Sequence, residues 1–258
     1  MEFIVHLTPI PALSDNYIWL LHDDAGDALV VDPGEAAVVE DALAAHSLRL
    51  RAILLTHHHL DHIGGAAALA AQNGVPVYAP DDQRIGATTH PVADGQRIAF
   101  ETPRVEFDVI AIPGHTLSHV AYVGAGIMFC GDTLFSLGCG RLFEGTPAQM
   151  LASLDRLSAL PEDMLVCCGH EYTQANGRFA HTVEPANTAL AARLEEVEQL
   201  RTQGLATVPI SLASELATNP FLRVDSDDVS AWCGRHGSGS DRVARFATLR
   251  HAKNTFAA

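Results

Sequence analysis

The sequence predicts a mixed α/β domain in residues 1–173, followed by a small all-helical domain in residues 174–258. Two observations support this division. In the first two-thirds of the chain, short apolar runs alternate with turns and a few helical segments. After about residue 173 the pattern changes to charged, Ala/Leu/Glu-rich segments with helical periodicity and no strand-rich stretch. A chain of 258 residues is long enough for such a pair of domains.

The elements of the α/β domain follow from the apolar runs and the residues that flank them. Strands are predicted for residues 3–10, 16–22, 28–34, 51–57, 75–80 and 164–170, and for most of 96–132. Helices are predicted for residues 35–46 and 62–74, the second of them ending at Gly74. A third helix begins at Pro147, with Thr146 as its N-cap, and runs to about Leu160.

The C-terminal domain is predicted from four helical stretches. The longest of them ends at Gly204. The stretches are residues 184–203, 211–218, 226–236 and 240–251.

Composition and charge exclude several classes of protein. Hydrophobic residues make up 48% of the chain, enough for a sizeable core. The net charge of −15 disfavours a polyanionic partner, so we expect no nucleic acid to bind. No apolar run approaches the roughly 18 residues of a membrane span, and the N-terminus lacks the basic region of a secretory signal. We therefore expect a protein without membrane contacts. The sequence does not fix the oligomeric state, and a monomer is the expectation.

The cysteines indicate a reducing compartment. Their number is odd, five, and Cys167 and Cys168 are adjacent, which is not the pattern of a disulfide framework. A cytoplasmic location follows as the simplest interpretation. We interpret Cys130, Cys139, Cys167 and Cys168 as buried packing residues, not as catalytic ones.

The most informative motif follows the strand predicted at residues 51–57 and opens the next helix. His57, His59, Asp61 and His62 form an H-x-H-x-D-H pattern, while His58 should point away by alternation. A chain that leaves a strand and turns into a helix can bring these four side chains together. Imidazole nitrogens with a carboxylate suit zinc, iron or manganese better than calcium or magnesium.

Three further candidates stand at the ends of other apolar runs, each preceded by glycine. They are His115 in IPGHT, Asp132 in FCGDT and His170 in CCGHE. Seven potential ligands are too many for one tetrahedral metal, but they suit two metals that share a bridging carboxylate. Asp32 and His119 are candidates for orienting these ligands through hydrogen bonds.

The H-x-H-x-D-H motif with the later GH, GD and GH loops resembles the metallo-β-lactamase superfamily. The resemblance implies an αββα sandwich with two divalent metals at one sheet edge, zinc first, with iron or manganese also open. It assigns His57, His59 and His115 to the first metal and Asp61, His62 and His170 to the second, with Asp132 as the bridge. The spacing alone does not make this division.

Longer strings narrow the resemblance to the glyoxalase II family. THHHLDHIGG, GHTLSH, GDTLF, GCGRLFEGT, GHEYT, VEPAN and TNPFLR are similar to that family from about residue 10 to near the C-terminus. The resemblance implies hydrolysis of S-D-lactoylglutathione to D-lactate and glutathione, the second step of methylglyoxal detoxification. It also implies that a metal-bridging hydroxide, held by way of Asp132, His57, His59, Asp61 and His62, attacks the thioester carbonyl.

The resemblance also suggests how an acidic protein binds anionic glutathione. The implied contacts are Arg141, Phe143, Tyr172, Asn176, Arg250 and Lys253. Position 141 is Arg in place of Lys, which keeps the charge and adds bidentate capacity. Phe143 stands where some family members have Tyr, so its effect on substrate contact is left open.

Four alternative functions must be weighed against this one. The first is another hydrolase of the same fold, such as a lactonase or another thioester or ester hydrolase. A mono-iron persulfide dioxygenase would not need Asp61, His62 and His170 all as ligands. An RNA-processing nuclease is disfavoured by the net charge. A metal-holding module without catalysis would require an altered ligand set, and none of the seven positions is altered.

Overall fold

The computed structural model describes residues 5–256 and divides them into two compact units. The N-terminal unit contains the residues up to Ala111 together with Ser118–Gly131. The C-terminal unit contains Ile112–Leu117 together with the residues from Asp132 onward. The domain boundary expected after residue 173 stays a prediction.

The N-terminal unit contains most of the strands. Its strands are β1 (Val5–Ala12), β2 (Asn16–Asp23), β3 (Asp27–Val31), β4 (Arg49–Leu54), β5 (Val77–Pro80), β6 (His90–Val92), β7 (Arg97–Glu101), β8 (Arg104–Ala111), β9 (Val120–Gly124) and β10 (Ile127–Gly131). Its helices are α1 (Ala36–Ala45), α2 (Leu60–Ile63) and α3 (Ala66–Asn73). Residues 3 and 4 of the first predicted strand lie outside the described residues.

Two sheets form the N-terminal unit. Strands β1 to β6 pair in chain order, antiparallel as far as β3 and parallel from β3 to β6. Strands β7 to β10 form an antiparallel meander. Because successive side chains of a strand face opposite sides, Ile18 and Leu20 pack towards α1 and α3, whereas Trp19 lies near Phe129 of the second sheet. Helices therefore cover one face of the first sheet and the second sheet covers the other.

The C-terminal unit is mainly helical. Its strands are β11 (Leu134–Phe135), β12 (Gly138–Cys139), β13 (Leu165–Cys168) and β14 (Ile210–Ser211). Its helices are α4 (Pro147–Ser158), α5 (Thr173–Val183), α6 (Thr188–Thr202), α7 (Leu212–Thr218), α8 (Asp227–Arg235) and α9 (Arg242–Thr255). Strands β11 and β12 pair as a short antiparallel hairpin, and β13 pairs antiparallel with β14, which follows it in the chain after α5 and α6.

One predicted helix was wrong in its continuity. Residues 62–74 were expected to form a single helix, but α2 and α3 are separated at Gly64–Gly65. A Cβ on either glycine would overlap backbone atoms, including the carbonyl oxygens of Gly34 and Pro33. The close approach of residues 33–36 thus requires glycine at these two positions, and the helix breaks there.

Within residues 5–256, no helix has both the length and the apolar character needed to cross a membrane.

Candidate active site

The first group of site residues lies where β3 and β4 end. These strands are parallel neighbours, so the residues that follow them leave the sheet at one edge. Asp32 follows β3 with φ of 52°, a left-handed conformation that aspartate tolerates better than most residues. Its carboxylate accepts hydrogen bonds from the Thr56 backbone N–H at 2.7 Å and from the Thr56 hydroxyl at 2.6 Å. Asp32 therefore fixes the start of the H-x-H-x-D-H segment.

This anchoring sets the tautomer of two histidines. Nδ1 of His62 lies 3.0 Å from Asp32 Oδ2, and Nδ1 of His57 lies 3.0 Å from the Thr56 hydroxyl oxygen. Since the Thr56 hydroxyl donates its proton to Asp32, its oxygen accepts from His57. Both rings then carry their proton on Nδ1 and present a lone pair on Nε2. This is the usual arrangement of metal-binding histidines.

The other two members of the motif lie beside these rings. His57 Nε2 is 3.1 Å from His59 Nδ1, and His62 Nε2 is 3.6 Å from Asp61 Oδ2. The side chain of Asn16 donates to Asp61 Oδ2 at 3.1 Å. The structure thus brings all four predicted ligands of the N-terminal unit into one cluster.

The remaining predicted ligands meet in the C-terminal unit. Asp132 Oδ2 is 3.5 Å from His115 Nε2 and 3.3 Å from His170 Nε2. Nδ1 of His115 donates to the backbone carbonyl of Arg141 at 2.9 Å, which again leaves Nε2 with a lone pair. The ring of Tyr172 stacks on His170 with centroids 4.7 Å apart and fixes its plane.

The donor set suits divalent metal ions. Ligand atoms about 2.0–2.1 Å from a tetrahedral metal lie about 3.3 Å from one another. The four pairs of potential ligand atoms described above, two in each unit, are 3.1 to 3.6 Å apart. His57, His62, His115, Asp132 and His170 are buried. Nitrogen and carboxylate ligands of this kind bind zinc, iron or manganese.

A cavity of about 400 Å³ opens beside the ligands of the C-terminal unit. All six predicted substrate contacts line it, together with two predicted metal ligands and three residues that the sequence did not indicate. The lining residues are His115, Asp132, Phe135, Cys139, Arg141, Phe143, Tyr172, Ala175, Asn176, Arg250 and Lys253.

Three cations line this cavity in different environments. Arg141 is exposed, whereas Arg250 is buried and donates to the carbonyl oxygen of Cys139 at 2.5 Å. Lys253 donates to the carbonyl oxygen of Ala175 at 3.2 Å. Burial, followed by the positive charges of Arg250, Arg141 and Arg178, lowers the pKa of Lys253 to about 8. The cavity therefore holds a field that favours an anion.

Aromatic side chains border the same cavity. The ring of Phe143 is 63% exposed and lies edge-on to His115, with centroids 5.2 Å apart. Phe135 lies edge-on to Tyr172, with centroids 5.1 Å apart. Cys139 is buried, and burial raises the pKa of its thiol. This finding agrees with the prediction that the cysteines are packing residues.

The structure also shows the surroundings of two further histidines that the sequence singled out. Nδ1 of His58 is 3.7 Å from Oδ2 of Asp82, whereas the carboxylates near His62 are those of Asp32 and Asp61. His119 is fully buried and stacks on His57, with ring centroids 4.5 Å apart. Sequence reasoning missed Asn16 and Thr56, because a polar residue in a strand or turn carries no signal of a partner distant in the chain.

Comparison with known proteins agrees with this arrangement. The model of the metallo-beta-lactamase superfamily matches residues 13–170, and that of the hydroxyacylglutathione hydrolase C-terminus matches residues 171–256. A hydroxyacylglutathione hydrolase of Xylella fastidiosa (strain M23) is 52% identical over 257 residues, which cover 98% of each chain.

Two solved structures have a similar fold. The BLEG-1 B3 metallo-beta-lactamase is 25% identical, with a TM-score of 0.65, over 84% of this chain and 99% of that one. The protein TTHA1623 in a di-iron-bound form is 27% identical, with a TM-score of 0.61, over 83% of this chain and 100% of that one. These matches confirm the predicted metallo-β-lactamase fold with a helical C-terminal region. The chain belongs to the hydroxyacylglutathione hydrolase (glyoxalase II) family of the metallo-β-lactamase superfamily.

Proposed function

We propose that the protein is a thioesterase that hydrolyses S-D-lactoylglutathione to D-lactate and glutathione. One observation carries the proposal. The cavity of the C-terminal unit is lined by three cations and also by His115 and Asp132, so an anionic ligand bound there lies next to predicted metal ligands. The name of the Xylella fastidiosa relative, hydroxyacylglutathione hydrolase, supports the same reaction. The hydroxyl group of water forms a bond to the acyl carbon, the acyl–sulfur bond breaks, and the remaining proton of water protonates the glutathione thiolate.

We propose that the seven predicted ligands hold two divalent metals. His57, His59 and His115 would bind the first, and Asp61, His62 and His170 the second, with Asp132 between them. The tautomers of His57, His62 and His115 support this assignment, because each presents Nε2 as a lone pair. The di-iron form of TTHA1623 supports two metals of this class. We take zinc as the first choice, with iron and manganese as alternatives.

The metals, when bound, would lower the pKa of water and polarise the thioester carbonyl. The protein's own residues would supply orientation. Asp32 holds His62, and through Thr56 it holds His57. The carbonyl of Arg141 holds His115. These hydrogen bonds fix the ligand rings before substrate binds, which limits reorganisation during the reaction.

Glutathione is proposed to bind through its two carboxylates. The protein carries a net charge of −15, so the local charges of Arg141, Arg250 and Lys253 must overcome a repulsive overall field. Asn176 and Tyr172 would position the tripeptide, and the exposed ring of Phe143 would offer an apolar contact. The helical domain proposed for residues 174–258 supplies three of these six residues.

Two further expectations belong to this proposal. We propose a cytoplasmic location, in line with the five cysteines, which are buried thiols in the structure. A monomer remains the expected state.

The test is to mix the purified protein with S-D-lactoylglutathione, follow the absorbance of the thioester, and assay metal on the same sample. We expect rapid loss of the thioester with about two metals per chain, abolished by a chelator and restored by zinc. Arg141→Gln should raise KM, whereas Arg104→Gln, at an exposed site on β8, should not. No thioester loss with two bound metals would refute the glutathione assignment, and lactones would be tested next.

A further inference from the structure

The β11–β12 hairpin lies between a predicted metal ligand and a predicted substrate contact. It begins two residues after Asp132 and ends two residues before Arg141. Phe135 and Cys139 line the cavity, and the carbonyl of Cys139 accepts from Arg250. The location of the hairpin therefore sets the position of two of the three cavity cations.

The hairpin is too weak to hold this conformation alone. It has only two paired positions, Leu134 with Cys139 and Phe135 with Gly138, and a ribbon this short is not stable by itself. Leu137, in the turn of the hairpin, has φ of 59°, a left-handed conformation that is unfavourable for a bulky side chain. Such a turn persists only when surrounding groups enforce it.

Two buried residues enforce the turn: Glu215 in the middle of α7 and Asn219 at its C-cap. Glu215 accepts from the Ser136 hydroxyl at 2.8 Å and from the Leu137 backbone N–H at 2.9 Å. Asn219 donates through its amide nitrogen to the carbonyls of Phe135 at 3.1 Å and Gly138 at 2.9 Å, and also to Glu215 at 3.0 Å. Both side chains are fully buried. Together they contact the backbone or side chain of four consecutive residues, 135–138.

The complete burial of Glu215 is energetically unfavourable, so its presence suggests a specific role. A carboxylate loses its hydration on burial, which disfavours its charged form, and burial accordingly raises the pKa of Glu215. Three donors form hydrogen bonds with its two oxygens, and these bonds offset part of the lost hydration. The reaction proposed above does not use this carboxyl group.

We propose that Glu215 and Asn219 are positioning residues, which fix the β11–β12 hairpin so that Arg250 and Arg141 face the bound glutathione. This inference rests on the proposed function. Its consequence is that α7, which does not line the cavity, controls the affinity of the cavity for the tripeptide.

The test compares four variants of the metal-loaded protein. Glu215→Ala removes all three contacts of the carboxylate. Glu215→Gln preserves them, because its amide oxygen can accept from Leu137 and Asn219 while its nitrogen donates to the Ser136 oxygen. Ser136→Ala removes one contact and serves if Glu215→Ala does not fold. Val229→Ala, at a buried position of α8, is the control for general loss of stability.

Three measurements are made well below the unfolding temperature of each variant. They are calorimetric binding of S-methylglutathione, which has no thioester to hydrolyse; kcat and KM for S-D-lactoylglutathione; and hydrogen exchange of the amides in residues 134–140. Glu215→Ala should weaken binding and raise KM by about tenfold, with a smaller change in kcat. Ser136→Ala should lie between it and the wild type. Glu215→Gln and Val229→Ala should stay within about twofold of wild type.

Hydrogen exchange separates this inference from the proposed function. Exchange at the hairpin should be faster in Glu215→Ala, but not in Glu215→Gln or Val229→Ala. The inference is refuted if Glu215→Ala binds as the wild type does, if Glu215→Gln is equally impaired, or if Val229→Ala loses the same affinity. If the wild type neither binds S-methylglutathione nor hydrolyses the thioester, the proposed function fails, and exchange alone still decides whether Glu215 fixes the hairpin.

Discussion

The carboxylate of Asp32 lies 3.0 Å from Nδ1 of His62, and both side chains are almost completely buried. Asp32 does not belong to the H-x-H-x-D-H motif, yet it determines which nitrogen of His62 is available to a metal. The same carboxylate reaches His57 through the Thr56 hydroxyl. One residue therefore orients two predicted metal ligands.

Replacing Asp32 should accordingly weaken metal binding without removing a ligand. We expect Asp32→Ala to lower metal affinity by about 10- to 100-fold, because His62 loses its acceptor and the Thr56 hydroxyl that accepts from His57 loses the carboxylate that orients it. Competition with a chromogenic chelator measures this change. Asp24→Ala, which removes an exposed partner of His6, is the matched control and should leave affinity unchanged. Equal affinities for the two variants would contradict this role of Asp32.

Gly140 should tolerate no side chain. A Cβ at this position would overlap the carbonyl oxygen of Asp132 and lie 3.3 Å from His115 Nδ1. We expect Gly140→Ala to displace the Asp132 loop, so that the purified variant contains less metal and hydrolyses the thioester more slowly. Gly86→Ala is the control, since a Cβ there would meet no atom within 4 Å. Full metal content in Gly140→Ala would show that the loop can shift without affecting the ligands.

Substrate affinity should depend on pH through Lys253. Its pKa is lowered to about 8, first by burial and then by the charges of Arg250, Arg141 and Arg178, with Cys139 acting in the opposite direction. Below pH 8 the ammonium is charged and attracts a glutathione carboxylate. As the pH rises through 8 this charge is lost, so KM should rise while kcat changes little.

The control for this pH dependence is Lys253→Arg, which keeps its charge over the same range. Its KM should rise less steeply above pH 8 than that of the wild type. Lys253→Met should have a high KM at every pH. If the wild type and Lys253→Arg respond identically, the titrating group lies elsewhere, for example on the substrate itself.

An ion pair with a buried carboxylate should matter more to stability than an exposed one. Glu184 has a fully buried carboxylate, and Arg223 donates to it through Nε at 3.0 Å and Nη2 at 3.1 Å. Arg223→Ala leaves this carboxylate buried without its cation and should lower the free energy of unfolding by about 3–5 kcal/mol. Arg97→Ala breaks an exposed pair with Asp108 and should change it little. Urea denaturation measures both, and similar losses would contradict the distinction.

The sequence predicted the elements best where local chemistry marks their ends. Thr146 and Pro147 predicted the start of α4, and the structure confirms it with a capping box between Thr146 and Gln149. In contrast, α5 was missed, because its buried face begins with Thr173, Asn176 and Gly177 and becomes apolar only in its second half, from Phe179 to Val183. The apolar part of this face is too short to indicate a separate helix by its periodicity.

The residues of the candidate site also differ in how well the sequence could predict them. The proposed ligands and substrate contacts could be selected from the sequence because they lie in short motifs that resemble a family. The residues that orient them were harder to find. Asn16 lies 45 positions from Asp61, and Glu215 lies 79 positions from Ser136, so only the fold brings these pairs together. No local pattern in the sequence could have indicated such pairs.

The buried thiols have a consequence for an enzyme whose proposed product is itself a thiol. Thiol–disulfide exchange begins with a thiolate that can reach a disulfide. Burial raises the pKa of Cys168 to about 12 and that of Cys233 to about 11, and it also raises the pKa of Cys139 beside the cavity. We therefore expect oxidised glutathione that enters the cavity to meet a protonated sulfur at Cys139, so the protein should resist mixed-disulfide formation with an oxidised form of its proposed product.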